Sequence, residues 1–159
     1  MTSLWTLSSI AKACGSDAVE EAQVGGISID TRTINPGDLF VALKDVRDGH
    51  DFVKDAIGKG AAAALVSRDV DGVPASKLVK VGDTLHGLEV LGRARRGELS
   101  GRVAAVTGSV GKTSTKEALR HLLSLQGKTH ASAASYNNLW GVPLSLARTP
   151  RDVKYGIFE

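Results

Sequence analysis

Leu7, Ile10, Ala11 and Cys14 recur at i, i+3, i+4 and i+7, a spacing that predicts a short amphipathic helix. Thr6 is placed to cap it and Gly15 to end it. The period then changes. Ile27 and Ile29 alternate with Ser28 and Asp30, which predicts a strand with one wet face, and Asn35-Pro-Gly-Asp38 reads as a turn. Leu39 to Leu43 follows as a buried strand. Phe52, Val53, Ala56 and Ile57 mark the inner face of a helix stopped by Gly58 and Gly60. Ala62 to Val66 and Leu78 to Val81 are further apolar strands, and Asp83 begins a helix through Leu85, Leu88 and Leu91 towards Arg96. Gly97 to Gly101 reads as a linker, so residues 1–98 form a compact α/β module.

After the linker the pattern restarts. Arg102 to Val106 is a strand, and Thr113 to Leu125 is a helix with Ala118, Leu119, Leu122 and Leu123 inward and Gly127 as its stop. A short strand at Thr129 to Ser132, a polar loop, a helix from Gly141 and a strand at Lys154 to Phe158 complete the order βαβαβ. That order opens a doubly wound parallel sheet. Such sheets are covered on both faces and hold more strands than these. Residues 99–159 are therefore expected to be the start of a larger domain, and the chain a piece of a longer enzyme; a complete small protein with a three-stranded second lobe is the alternative.

Composition narrows the class without naming a chemistry. Of 159 residues, 42% are hydrophobic and 23% charged, the balance of a globular protein, and no apolar run is long enough for a bilayer. The N-terminus lacks a basic and an apolar leader segment, so the cytoplasm is the expected compartment. One cysteine, Cys14, allows no internal disulfide and reads as a packed thiol. A net charge of +3 with mixed signs gives no nucleic-acid argument, and Arg93, Arg95 and Arg96 read as a solvated helix end.

The chemistry begins at Val103-Ala-Ala-Val-Thr-Gly-Ser-Val-Gly-Lys-Thr-Ser114. A phosphate chain asks for several backbone N–H groups, a helix N-terminus, an ammonium and a hydroxyl for magnesium. Gly108, Ser109, Val110, Gly111, Lys112, Thr113 and Ser114 supply all of them between a strand and a helix. The first Gly of the usual P-loop spacing is replaced by Val106. An ordinary strand-to-helix turn is the alternative. In Ser135-Tyr-Asn-Asn-Leu-Trp-Gly-Val-Pro-Leu144 the amides of Asn137 and Asn138 precede a helix, where they can contact a ligand or cap the helix. Glu159, at the end of an apolar strand, faces the phosphate crevice and can hold Mg²⁺.

Together these residues resemble the Mur ligases, the ATP-dependent amide-forming enzymes of peptidoglycan precursor synthesis. The likeness spans essentially the whole chain. Thr107-Gly-Ser-Val-Gly-Lys-Thr-Ser114 resembles the family's variant P-loop, Tyr136 to Pro143 its substrate loop, and Gly156-Ile-Phe-Glu159 ends on its magnesium glutamate. Ser28 to Arg32, Pro36 to Leu43 and Asp48 to Phe52 are similar to the UDP-binding domain of two members. The absence of Gly-x-Gly-x-x-Gly from the first module speaks against the two earlier ligases of the series. Between the remaining two, the loop and Asn137-Asn138 favour the member that joins D-alanyl-D-alanine to UDP-N-acetylmuramoyl-tripeptide over the tripeptide-forming one.

The resemblance implies ATP and Mg²⁺ as cofactors, with Lys112 catalytic, Thr113 and Glu159 on the metal, and Asn137 or Asn138 on the muramoyl side. It implies small-molecule substrates, a monomeric enzyme, no nucleic acid and no membrane insertion. For the first module, Arg32 can pair with a diphosphate as a planar fork, while Ser28, Thr31 and His50 can donate to uracil or ribose. Capping is the competing account, with Asp30-Thr-Arg32 ending a strand and His50-Asp51 starting a helix. The rest of the family's central domain, with a further magnesium-side lysine, and its C-terminal domain are expected outside this chain, which alone is expected to be inactive. Two other classes stay open: a binding module that holds a UDP-sugar through residues 1–98 and does no chemistry, and a small P-loop kinase or unrelated ATPase, which would not need the first module.

Overall fold

The computed structural model describes residues 3–17, 20–133 and 138–159. The chain forms two compact units that divide between Val90 and Leu91.

The first unit opens with β1 (Trp5–Thr6), which runs straight into α1 (Leu7–Cys14). Thr6 caps the helix reciprocally: its hydroxyl accepts the Ser9 N–H at 3.2 Å, and its own N–H donates to Ser9 Oγ at 3.2 Å. Gly15, at φ 63°, closes the other end in the left-handed conformation and donates to Lys12. Burial holds the Cys14 thiol up at about 11, as expected of a packed cysteine. β2 (Gln23–Val24) pairs antiparallel with β1, a two-residue ladder too short to leave a period in the sequence.

The remaining strands are β3 (Ile27–Ser28), β4 (Leu39–Val41), β5 (Ala63–Val66) and β6 (Leu78–Lys80), a parallel sheet in sequence order. α2 (Val53–Gly58), entered through a 3₁₀ turn at Gly49–Phe52, crosses from β4 to β5. Phe40, Ala42, Val53, Ala56, Ala64, Val66 and Leu78 make the core between sheet and helix. Ser28 departs from the expected wet face. It is buried because its hydroxyl turns back into the chain, donating to Asp30 O at 2.9 Å and accepting the Asp30 N–H at 3.2 Å. That local bond competes with strand pairing, so β3 stops after Ser28.

α3 (Thr84–Glu98) starts where Asp83 Oδ1 accepts the His86 N–H at 2.7 Å. Its arginines are not the uniform solvated end that the sequence suggests. Arg93 and Arg96 are exposed, but Arg95 is fully buried, because it continues the stripe of Leu88 and Leu91 by i+4 from the latter. Its Nε lies 3.6 Å from Glu98, which Arg151 also grips at 2.9 Å. Burial pulls the Arg95 guanidinium down to about 10.

The second unit carries β7 (Arg102–Ala105), α4 (Lys112–Ser124), β8 (Thr129–Ala131), α5 (Gly141–Ala147) and β9 (Tyr155–Phe158). The order β7-β9-β8 is parallel throughout, with the last strand in the centre. β9 is buried along its whole length, whereas β7, at the edge, is mostly exposed. The helical face also differs from the one expected for α4. Leu119 and Leu123 are half-buried, Ala118 and Leu122 are exposed, and the side chain buried on this helix is Lys116. The inward stripe is thus 116, 119 and 123.

Candidate functional site

The site of the second unit lies where β7 and β9 end. Val106 donates its N–H to Phe158 O at 2.8 Å, so the chain leaves the sheet alongside β9 before turning into α4. Gly111 caps α4 at φ 79°, a left-handed geometry that costs a residue with a Cβ about 1 kcal/mol. Its carbonyl accepts the Thr115 N–H at 2.9 Å, the first bond of the helix. The turn therefore presents the positive end of a four-turn-scale helix to whatever lies before it. Lys112 folds back over the turn, its Nζ donating to Gly108 O at 2.7 Å, and Val110 stands at the tip, 90% exposed.

Thr113, one residue further, points at the end of the central strand. Its Oγ1 lies 3.1 Å and 3.2 Å from the two carboxylate oxygens of Glu159 and donates to them. Lys116 Nζ sits 3.4 Å from Glu159 Oε2, and both side chains are almost wholly buried, at 1% and 2% exposure. The Glu159 N–H donates to Ser132 Oγ at 3.2 Å, and Ser132 N–H donates to Ile157 O at 3.0 Å, which ties the end of β9 to the end of β8. A hydroxyl and a carboxylate converging beside a phosphate-type turn are the oxygen donors Mg²⁺ takes from proteins, the rest coming from phosphate and water. The residues present fit that ion. Among the described residues no cluster of three or more His, Cys, Asp and Glu forms another metal site.

Two residues here escaped the sequence reading. Lys116 was legible in principle, being i+4 from Lys112 and i+3 from Thr113 and so on their face of the helix. Ser132 left no signal, because its role comes from a pairing between strands.

In the first unit Ser28, Asp30 and Arg32 form one cluster. Arg32 is 86% exposed and grips Asp30 as a fork, Nη2 at 2.6 Å and Nε at 3.0 Å. The guanidinium holds the Asp30 carboxyl down to about 2. Thr31 lends its carbonyl to Lys59 Nζ at 3.0 Å, and its side chain bonds Asp55. His50 is buried in a separate network. Its Nε2 accepts the Ser67 N–H at 2.9 Å, so Nδ1 carries the proton and donates to Asp48 Oδ1 at 2.6 Å. Asp48 caps the 3₁₀ turn through the His50 N–H at 3.0 Å, in place of the capping by His50-Asp51 that the sequence allows. Asn138 is exposed and its carbonyl accepts the Gly141 N–H at 3.0 Å; Asn137 lies outside the described residues.

Residues 23–99 match the Mur ligase family, catalytic domain, and residues 106–159 match the Mur ligase middle domain. The UDP-N-acetylmuramoyl-tripeptide–D-alanyl-D-alanine ligase of Rickettsia prowazekii is 36% identical over 156 residues, 98% of this chain and 35% of the relative. The ligase of the same name from Escherichia coli is 42% identical over 134 residues, 84% of this chain and 29% of the relative. Among solved structures, MurF from Acinetobacter baumannii superposes with a TM-score of 0.84 at 33% identity, covering 98% of this chain and 35% of that one. MurF ligase from Thermotoga maritima in complex with ADP gives 0.70 at 32% identity, covering 84% of this chain and 31% of that one. The chain thus spans about a third of the length of these relatives. Among the described residues no helix is long and apolar enough to cross a membrane. Two domains of one family follow each other in order along a chain that folds as MurF does, and the chain belongs to the Mur ligase family.

Proposed function

We propose that this chain forms the UDP-binding module (residues 1–98) and the start of the ATP-binding domain (residues 99–159) of a cytoplasmic, monomeric amide ligase. Its substrates are ATP, UDP-N-acetylmuramoyl-tripeptide and D-alanyl-D-alanine, the last two being the compounds printed in the names of its relatives. The observation that carries the reading is the meeting of Thr113 and Glu159, 46 residues apart in sequence and 3.1 Å apart in space, at the mouth of the Gly108–Gly111 turn.

The γ-phosphoryl group of ATP passes to the terminal carboxylate of the tripeptide, giving an acyl phosphate and ADP. The D-alanyl-D-alanine amine then attacks the acyl carbon, phosphate leaves, and the amine gives up a proton as the amide forms. Positioning and charge neutralisation carry most of such a reaction. The N–H groups of Gly108 to Gly111 and the start of α4, with Ser114, cradle the phosphates. Lys112 exchanges its Gly108 carbonyl for the β/γ oxygens. Thr113 and Glu159 would hold Mg²⁺, which would supply charge neutralisation for the phosphates. Arg32, with Ser28 and Thr31, takes the UDP diphosphate and nucleoside, while His50, buried between Asp48 and Ser67, reaches a ligand only by giving up one of these two bonds. Asn137 and Asn138 serve the muramoyl end. Lys112→Ala in the full-length enzyme is expected to lower kcat by about a thousandfold or more. Near-normal ligase turnover in a folded Lys112→Ala enzyme would sink the assignment.

A further inference from the structure

Lys116 is a lysine in a place where its helix asks for an apolar residue. It belongs to the inward stripe with Leu119 and Leu123, and it is the most deeply buried side chain of α4. Lysine is rarely buried to this degree without a paired charge, since desolvating the ammonium is costly. Its closer carboxylate is Glu159, at 3.4 Å; Glu117 stands at 3.9 Å on a half-exposed side chain.

Glu159 is thereby held from three directions. Thr113 reaches both its oxygens, Lys116 meets Oε2, and Ser132 fixes the backbone N–H. Thr113 and Lys116 lie one turn apart on the same helix, so their spacing is set by α4 rather than by any ligand. A carboxylate that is already oriented loses less rotamer freedom when it binds a metal.

We infer that Lys116 is a positioning residue for the metal-nucleotide complex: it fixes the Glu159 carboxylate against Thr113, so that this pair is formed before the ligand arrives. The inference rests on the nucleotide reading of the turn. It assigns Lys116 no contact with phosphate and separates it from Lys112, which acts on the nucleotide itself.

The test is calorimetric titration of the full-length enzyme with ADP, in Mg²⁺ and in EDTA, for wild type, Lys116→Met and Lys116→Arg. In wild type Mg²⁺ should tighten ADP binding. Lys116→Met should lose about tenfold of that tightening, as expected for one charge-assisted contact, while binding in EDTA stays within about twofold. Lys116→Arg should recover most of the loss. Full Mg²⁺ enhancement in Lys116→Met overturns the inference, and so does an equal loss with and without metal, which marks a merely structural role. If far-ultraviolet circular dichroism shows Lys116→Met unfolded, Lys116→Gln is judged by the same two affinities. A full-length wild type that does not bind ADP removes the nucleotide reading together with this inference, whereas a wild-type response with an unaltered Lys116→Met response removes this inference alone.

Discussion

Asp48 organises its loop by accepting three bonds: from the His50 N–H, from His50 Nδ1–H and, at Oδ2, from Arg68 Nη2 at 3.0 Å. The His50 backbone N–H leads in drawing its carboxyl down to about 2, with the His50 side chain and Arg68 adding to it. A carboxyl depressed below its unfolded value of about 3.9 contributes stability that is complete above that value and lost as pH falls towards 2. Asp48→Asn is therefore expected to lower stability by about 1 kcal/mol near neutrality, through the weakened cap and His50 anchor. Thermal melts from pH 6 down to 2, the range set by about that linkage window, should show the two proteins converging below about pH 4. Asp30→Asn should open a smaller gap, since its partner Arg32 is largely in solvent, where ion pairs contribute little. This residue-level wiring was only partly legible. Asp48 stood in a motif that drew notice, but that it, rather than His50-Asp51, caps the turn depends on a backbone bend no spacing reveals.

At the scale of elements, legibility followed the length of the pattern. α1 was readable to its caps, because Thr6, Ser9 and Gly15 act within one short segment. Thr6→Ala should cost about 1 kcal/mol, read as a lower urea midpoint with unchanged slope. A midpoint equal to wild type would mean that the packing of Trp5 and Leu7, both buried, holds the helix without its cap. The strands of both sheets were placed to within a residue or two, since most are short apolar runs with Gly, Pro or Asp nearby. The β1–β2 pair was not, for a two-residue ladder has no period. α4 was located correctly and faced wrongly. Its leucines at 119, 122 and 123 fit more than one stripe, and the decision fell to Lys116, whose burial comes from Glu159 on another element.

At the scale of the whole chain, the two units carry separate cores and separate proposed ligands, and each ligand can stabilise only what it binds. Binding to the folded form alone adds about 2.7 kcal/mol at a hundredfold excess over the dissociation constant. UDP should therefore raise the unfolding temperature of structure through Val90, and ADP with Mg²⁺ that of the structure beyond it. Hydrogen exchange read by peptide separates the two without requiring two visible transitions. Lys112→Ala should abolish the protection conferred by ADP on β7, α4 and β9 while leaving the UDP effect intact. Arg32→Ala should do the reverse, weakening UDP protection around β3 and β4 with no change in the response to ADP. Protection of the first unit by ADP, or loss of both responses in either variant, would contradict the assignment of the diphosphate to Arg32 and the triphosphate to the Gly108–Gly111 turn.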